Sequence, residues 1–149
     1  MPRLILRYSL IASLLAATVF AAWSWFRPYA WSSDAAARCE VVGALVTRDQ
    51  SFYWLNLHLK VNPGMNHDLK KPVRLEVSPR VYLEPADTTL VGEDGQAIRE
   101  IWFKFWLESG QLQNPLTLHL NDGKLSIKSR AGMPDLGSSG YRNFVTNQW

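Results

Sequence analysis

Hydrophobic and polar residues follow two different patterns along this chain, one continuous and one alternating. The continuous pattern runs from Tyr8 to Phe26, YSLIASLLAATVFAAWSWF, and contains no charged residue. A helix of that length reaches roughly 28 Å at 1.5 Å per residue, close to the ~30 Å hydrocarbon core of a bilayer. We therefore expect one transmembrane helix at residues 8–27, ended by Pro28.

The charges around this span predict its orientation. Arg3 and Arg7 precede it, whereas only Arg27 and Arg38 follow it closely, with Asp34 between them. Because basic residues flank the cytoplasmic end of a membrane helix, we expect residues 1–7 to form a cytoplasmic N-terminus. Residues 28–38 are then an interfacial linker, and residues 39–149 a domain on the exported, periplasmic side of the inner (cytoplasmic) membrane.

Two sets of residues on or beside the span predict contacts within the membrane. Small residues recur every four positions and allow close approach of another helix, although Ala and Ser are also common in weakly apolar spans. This predicted helix-packing face is Ser9, Ser13, Ala17 and Ala21. Aromatic rings favour the headgroup layer, which predicts a membrane-interface belt. The predicted belt is Trp23, Trp25, Phe26, Tyr29 and Trp31.

A cleaved signal peptide is the alternative interpretation of the same segment. It also has a basic start and an apolar middle, and Val19-Phe20-Ala21 is an acceptable cleavage site. The apolar run is longer than the ~7–15 residues of a signal core, which favours a retained anchor.

After the linker, apolar and polar residues alternate with the period of β-strands. Short strands are predicted near 40–47, 52–61, 73–78, 81–83, 98–107, 116–120, 124–129 and 141–149, with a loop from Pro85 to Gln96. Seven or eight strands with turn signals about every ten residues are typical of an antiparallel sandwich. We therefore predict an all-β, immunoglobulin-like β-sandwich, without the Cys–Trp–Cys framework of antibody domains.

The strongest hairpin signal is the segment LTLHLNDGKLSIKS. A two-residue turn at Asp122-Gly123 would pair Leu120 with Leu125, and Leu118 with Ile127, on the core side of the sheet.

Composition and charge exclude several classes of function. The chain of 149 residues carries a formal charge of +3, but Arg3 and Arg7 precede the span. The rest of the chain has 14 basic and 13 acidic residues, which is a net charge of +1. A domain so close to neutral has no general field to hold a polyanion, so we expect no nucleic-acid partner.

No constellation of residues predicts catalysis or metal binding. His58, His67 and His119 are not at the spacing of metal ligands, and no nucleophile elbow is present. Cys39 is interpreted as a small buried residue, with an intermolecular disulfide as the alternative. We therefore expect no enzyme activity, no metal and no cofactor.

A group of large aromatic residues is predicted on the outward side of two strands. Phe52, Trp54, Trp102 and Trp106 lie opposite the aliphatic rows of their strands. Because aromatic residues are enriched at protein interfaces, these four form our candidate interface. The alternatives are strands buried on both sides and a platform for stacking sugars.

These observations together predict a non-catalytic accessory subunit of a multi-subunit integral-membrane complex. Its partners would be other membrane subunits and the lipid bilayer. By analogy of architecture, we expect the host to be a respiratory or photosynthetic assembly. The alternative function is a membrane-anchored envelope module that binds a glycan or peptide through Trp54, Trp102 and Trp106. An enzyme would require a cleft in which acid, base and nucleophile converge.

Overall fold

The structure, a computed structural model, describes residues 2–26, 31–92 and 97–149. It divides the chain into two compact units, Met1–Ala30 and Trp31–Trp149. The first unit contains helix α1 (Pro2–Phe26), and the second, here called the β domain, contains all the strands.

Helix α1 covers the predicted apolar run and begins earlier, at Pro2 instead of Tyr8, while the predicted end at Pro28 lies outside the described residues. Its sequence is rich in Ala and Leu, which favour helix, and it has no internal Gly. The segment Arg3–Phe26 is long and apolar enough to cross a membrane, and none of its side chains is buried within the structure. A signal sequence satisfies the same criteria, so both interpretations of this segment stay open.

The described part of the β domain contains nine strands in two antiparallel sheets. They are β1 (Cys39–Asp49), β2 (Phe52–Val61), β3 (Arg74–Ser78), β4 (Val81–Leu83), β5 (Asp87–Val91), β6 (Glu100–Glu108), β7 (Leu116–Leu120), β8 (Gly123–Lys128) and β9 (Tyr141–Phe144). The order is β5-β6-β2-β1-β9 in the five-stranded sheet and β4-β3-β7-β8 in the four-stranded sheet. A one-turn helix, α2 (Ser109–Leu112), connects β6 to β7.

The two sheets share one hydrophobic core, which includes Leu57 of the five-stranded sheet and Leu118 of the four-stranded sheet. On β2 and β6 alternate residues are buried, and the register places Leu55 opposite Phe105 and Leu57 opposite Phe103. Fully burying one such side chain contributes about 1.5–3 kcal/mol, so the alternating rows are the main source of stability. The all-β antiparallel architecture is therefore confirmed, with nine strands instead of the seven or eight expected.

Strand β5 corrects the predicted loop between Pro85 and Gln96. It pairs with β6, with Leu90 opposite Ile101. All five of its residues are exposed, so neither side is selected for apolar residues and no alternation appears in the sequence. Part of the predicted loop, residues 93–96, lies outside the described residues.

The β7–β8 hairpin forms, but its predicted turn is wrong. The turn residues are Asn121 and Asp122, so Leu120 pairs with Gly123, and Leu118 pairs with Leu125. This register differs from the predicted one by two residues. Because side chains alternate with a period of two, the shift leaves every leucine on its predicted side.

The segment before β1 packs against β8 within the β domain. A 3-10 helix (Ala35–Ala37) is capped by Asp34, whose carboxylate accepts from the N–H of Ala36 at 3.0 Å and of Lys124 at 2.9 Å. These backbone N–H groups, the one from Lys124 first, lower the pKa of Asp34. The compact unit starts at Trp31, so residues 31–38 of the predicted linker belong to it. That this linker lies at the membrane interface stays a prediction, and residues 27–30 lie outside the described residues.

Gly123 explains how the 3-10 helix approaches β8 so closely. A Cβ atom at this position would lie within 2.8 Å of backbone atoms of Ala36 and Ala37. The glycine is therefore required by close contact between two backbones, and not by the turn to which the sequence assigned it.

Candidate functional site

The four predicted interface residues lie on the outward side of the five-stranded sheet, where the Asn56–Lys104 pair separates Trp102 from Trp54 and Trp106. The register places Trp54 opposite Trp106. The Phe52 and Trp106 rings stack with centroids 4.2 Å apart, and the Trp54 and Trp106 rings are 6.5 Å apart. Trp102 is two strand positions before Lys104 and four before Trp106, on the same side. We call Phe52, Trp54, Trp102 and Trp106 the aromatic face.

The aromatic face is only partly covered by its own chain. Trp106 remains 45% exposed, while Phe52, Trp54 and Trp102 are half-buried. Large rings of this kind contribute most when water is fully removed from them. The face therefore retains exposed apolar surface.

Two charged groups hold the Trp54 indole in place. Its Nε1–H donates to Oδ2 of Asp49 at 3.1 Å, and the Lys104 ammonium lies 4.3 Å from the centre of its ring. A cation over an indole contributes about 0.5–1 kcal/mol at an exposed site. One acidic and one basic side chain therefore contact the Trp54 ring.

His58 lies beside Trp102, at the other end of the aromatic face. The sequence placed this histidine on the outward side of β2 but indicated no partner for it. The His58 ring stacks on Trp102, with centroids 4.1 Å apart and planes 6° from parallel. Its Nε2 atom lies 3.1 Å from Oε2 of Glu100. Period-two alternation indicated the side of the sheet, but the pairing of β2 with β6 could not be obtained from either strand alone.

The remaining histidines lie elsewhere in the β domain. His119 Nε2 is 2.7 Å from Oε2 of Glu76 on the four-stranded sheet, and His67 Nδ1 is 3.1 Å from Oδ1 of Asn121. Among residues 2–26, 31–92 and 97–149, no group of three or more His, Cys, Asp or Glu could hold a metal ion.

The predicted helix-packing face is continuous on α1. Ser9, Ser13, Ala17 and Ala21 are separated by four residues, so they share one side of the helix, and all are exposed. Their role in packing stays a prediction.

The predicted membrane-interface belt is divided between the two units. Trp23, Trp25 and Phe26 are exposed on the last turns of α1. Tyr29 lies outside the described residues, whereas Trp31 is half-buried and packs against the core of the β domain. Its membership of a membrane belt stays a prediction.

Comparison of the chain with protein-family models, curated proteins and solved structures finds no match.

Proposed function

We propose that this protein is a non-catalytic accessory subunit of a multi-subunit integral-membrane complex. Helix α1 is its anchor, and the β domain contacts exposed parts of its partners. The observation that carries the proposal is the combination, in one chain, of an apolar helix with no buried side chain and an outward sheet face of stacked aromatic rings.

The surface of α1 supports a role in association within the membrane. Small residues at Ser9, Ser13, Ala17 and Ala21 leave one side of the helix flat. Transmembrane helices associate mainly through close van der Waals packing, for which such a side is suited. Bulkier residues, including Leu14 and Leu15, would contact lipid or a larger partner.

The location that we propose is the inner membrane, with the N-terminus in the cytoplasm and the β domain in the periplasm. The bias of Arg3 and Arg7 toward the start of α1 supports this orientation. We also propose that the two sheets form an immunoglobulin-like sandwich, which their antiparallel pairing over one core supports. Respiratory or photosynthetic complexes are the proposed hosts by analogy of architecture.

One observation favours the second candidate function, a membrane-anchored module that binds a glycan or peptide. The partly exposed rings of Trp102 and Trp106 stand beside polar groups that could bond a ligand, including Asn56 and Glu100. Aromatic stacking beside hydrogen-bonding groups suits a sugar ring.

Purification of the full chain from its own membranes in mild detergent, followed by native mass spectrometry, tests the proposal. We expect a stoichiometric membrane-protein partner. Replacing Trp106 by Thr should reduce recovery of that partner about tenfold or more, because a central interface tryptophan commonly contributes ~2 kcal/mol.

The matched control is Tyr82→Thr. Tyr82 is 43% exposed, close to the 45% of Trp106, but lies on the four-stranded sheet. Partner recovery should be unchanged by this substitution. A lone monomer contradicts the accessory-subunit proposal, and a monomer that retains a glycan or peptide supports the second candidate.

A further inference from the structure

The aromatic rings on the outward side of β2 and β6 form two clusters. The first cluster contains Phe52, Trp54 and Trp106, and the second contains Trp102 and the ring of His58 stacked on it. Trp102 and Trp106 are four residues apart on β6, which corresponds to about 13 Å at the ~3.3 Å rise of a strand. The sheet therefore presents two aromatic contacts at a spacing set by the strand.

The gap between the two clusters contains polar groups that can donate hydrogen bonds. The register places Asn56 opposite Lys104 in this gap, and both residues are half-buried. Within the described residues neither side chain makes a hydrogen bond, and their polar atoms remain accessible to solvent. An extended ligand that contacts both clusters would therefore satisfy these donors if it carried acceptors near its middle.

A polyproline II (PPII) helix matches this arrangement in length. It rises about 3.1 Å per residue with three residues per turn, so residues i, i+1, i+3 and i+4 face one flat surface and span about 12 Å. Proline-rich segments in this conformation bind to surfaces lined by aromatic side chains. The first and last of these positions would reach the two tryptophans of β6, of which Trp106 is 45% exposed and Trp102 is half-buried.

Hydrogen bonding favours this conformation over a helix or a strand as the ligand. The backbone carbonyls of a PPII segment have no internal partners, so those near its middle can accept from Asn56 and Lys104. An α-helix bonds its carbonyls internally and would leave both donors of the gap unpaired. An added strand needs a free sheet edge, whereas β2 and β6 each have a neighbouring strand on both sides.

We propose that the aromatic face binds a proline-rich segment of a partner protein in the PPII conformation. Prolines near the two ends of the segment pack on the two clusters, and carbonyls between them accept hydrogen bonds from Asn56 and Lys104. Such a segment is already extended before it binds, so little conformational entropy is lost. This inference rests on the function proposed above, because it names the partner chemistry that the aromatic face recognises.

The test uses the full chain in detergent micelles and a fluorescein-labelled peptide with the core Pro-Pro-Ala-Pro-Pro, whose binding is measured by fluorescence anisotropy. We expect saturable binding. Replacing the prolines of the peptide by glycine should weaken it about tenfold, because a flexible peptide loses more conformational entropy. Trp102→Thr and Trp106→Thr should each weaken it about tenfold. Tyr82→Thr, on the four-stranded sheet, should leave it unchanged.

Lys104→Met tests the polar gap without removing an aromatic ring. It keeps an unbranched side chain but deletes the donor, so binding of the proline peptide should weaken about fivefold. Lys124→Met removes an exposed lysine from β8 and should have no effect.

Three results would overturn the proposal. They are no saturable binding at millimolar peptide, equal binding of the proline and glycine peptides, and equal binding by Trp102→Thr and Tyr82→Thr. A membrane partner that is recovered with the unmodified chain but lost with Trp106→Thr, together with no binding of the proline peptide, would overturn this inference and leave the function proposed above intact.

Discussion

At the scale of single residues, the contact of Gly123 with the 3-10 helix leads to the sharpest prediction of stability. A methyl group at this position would overlap backbone atoms of Ala36 and Ala37, which cannot rotate away. We expect Gly123→Ala to reduce the free energy of unfolding by about 1–3 kcal/mol, the usual cost of overpacking. Denaturant titration of the full chain, followed by tryptophan fluorescence, measures this change.

Gly110 provides the matched control. It lies in α2, and a Cβ at this position would meet nothing within 4 Å. Because alanine favours helix over glycine, Gly110→Ala should leave stability unchanged or raise it by up to about 1 kcal/mol. Equal stability of the two variants would show that the backbones of β8 and the 3-10 helix are not in close contact.

Cys39 leads to a prediction of pH dependence. Burial raises the pKa of its thiol from 9.0 to about 11. Between these values the unfolded chain releases a proton that the folded chain keeps, so stability falls as pH rises, by about 1 kcal/mol per pH unit. Unfolding titrations from pH 8 to pH 11 should show this decline.

Cys39→Ala is the comparison that isolates the thiol. The smaller side chain lowers stability at every pH, but the part of the decline due to the thiol should disappear. Parallel pH curves for the two proteins would contradict a raised thiol pKa. The structure confirms that Cys39 is buried, as the sequence indicated.

The sequence could not predict the environment of residues whose contacts are distant along the chain. Lys128 follows the buried Ile127, so strand alternation alone would place it on the outward side, but a bulge opposite Leu116 and Thr117 turns it inward. Its ammonium donates to backbone carbonyls, including that of Gly132 at 2.9 Å, and desolvation lowers its pKa. Neither the bulge nor the carbonyls that bind Lys128 can be recognised from the neighbouring residues in the sequence.

At the scale of elements, strands with one buried side were predictable, and the exposed strand was not. β2 has the predicted bounds, Phe52–Val61, because its alternating residues are selected for opposite environments. β5 has no buried side and was missed. The aromatic face was placed on the correct side by the same alternation, but its stacking depends on the β2–β6 register, which involves both strands.

Helix α1 provides a prediction for the element that we propose as the anchor. Ala17 and Ala22 are both exposed, but five residues of helix separate them by about 140° around the axis. Ala17→Leu should reduce recovery of the membrane partner at least fivefold, because a large side chain prevents close helix contact. Ala22→Leu makes the same chemical change away from the helix-packing face and should have little effect.

Native mass spectrometry of the two purified variants measures the difference. Equal partner recovery from Ala17→Leu and Ala22→Leu would contradict the proposed helix-packing face while leaving the aromatic face untested by this comparison. The Trp106→Thr experiment addresses that face separately.

At the scale of the whole molecule, orientation across the membrane is the property to measure. Cys39 is the single cysteine of the chain, so Cys39→Ala with Ser138→Cys creates one exposed thiol in the β domain. With the proposed orientation, a membrane-impermeant maleimide should label this thiol in intact spheroplasts.

Two outcomes would contradict the proposed topology. Labelling only after lysis would place the β domain in the cytoplasm. A purified protein lighter than the 17.0 kDa of the full chain by the mass of residues 1–21 would show that the segment is cleaved.

Pairing of β1 with β9 has a consequence for how the β domain is completed during synthesis. Ala44 pairs with Phe144, so the last strand of the five-stranded sheet is made long after the first. Contacts of such sequence separation form late. Until β9 is synthesised, the edge of β1 that pairs with it has free backbone hydrogen-bonding groups. During this time a chaperone or a neighbouring nascent chain can bind to that edge.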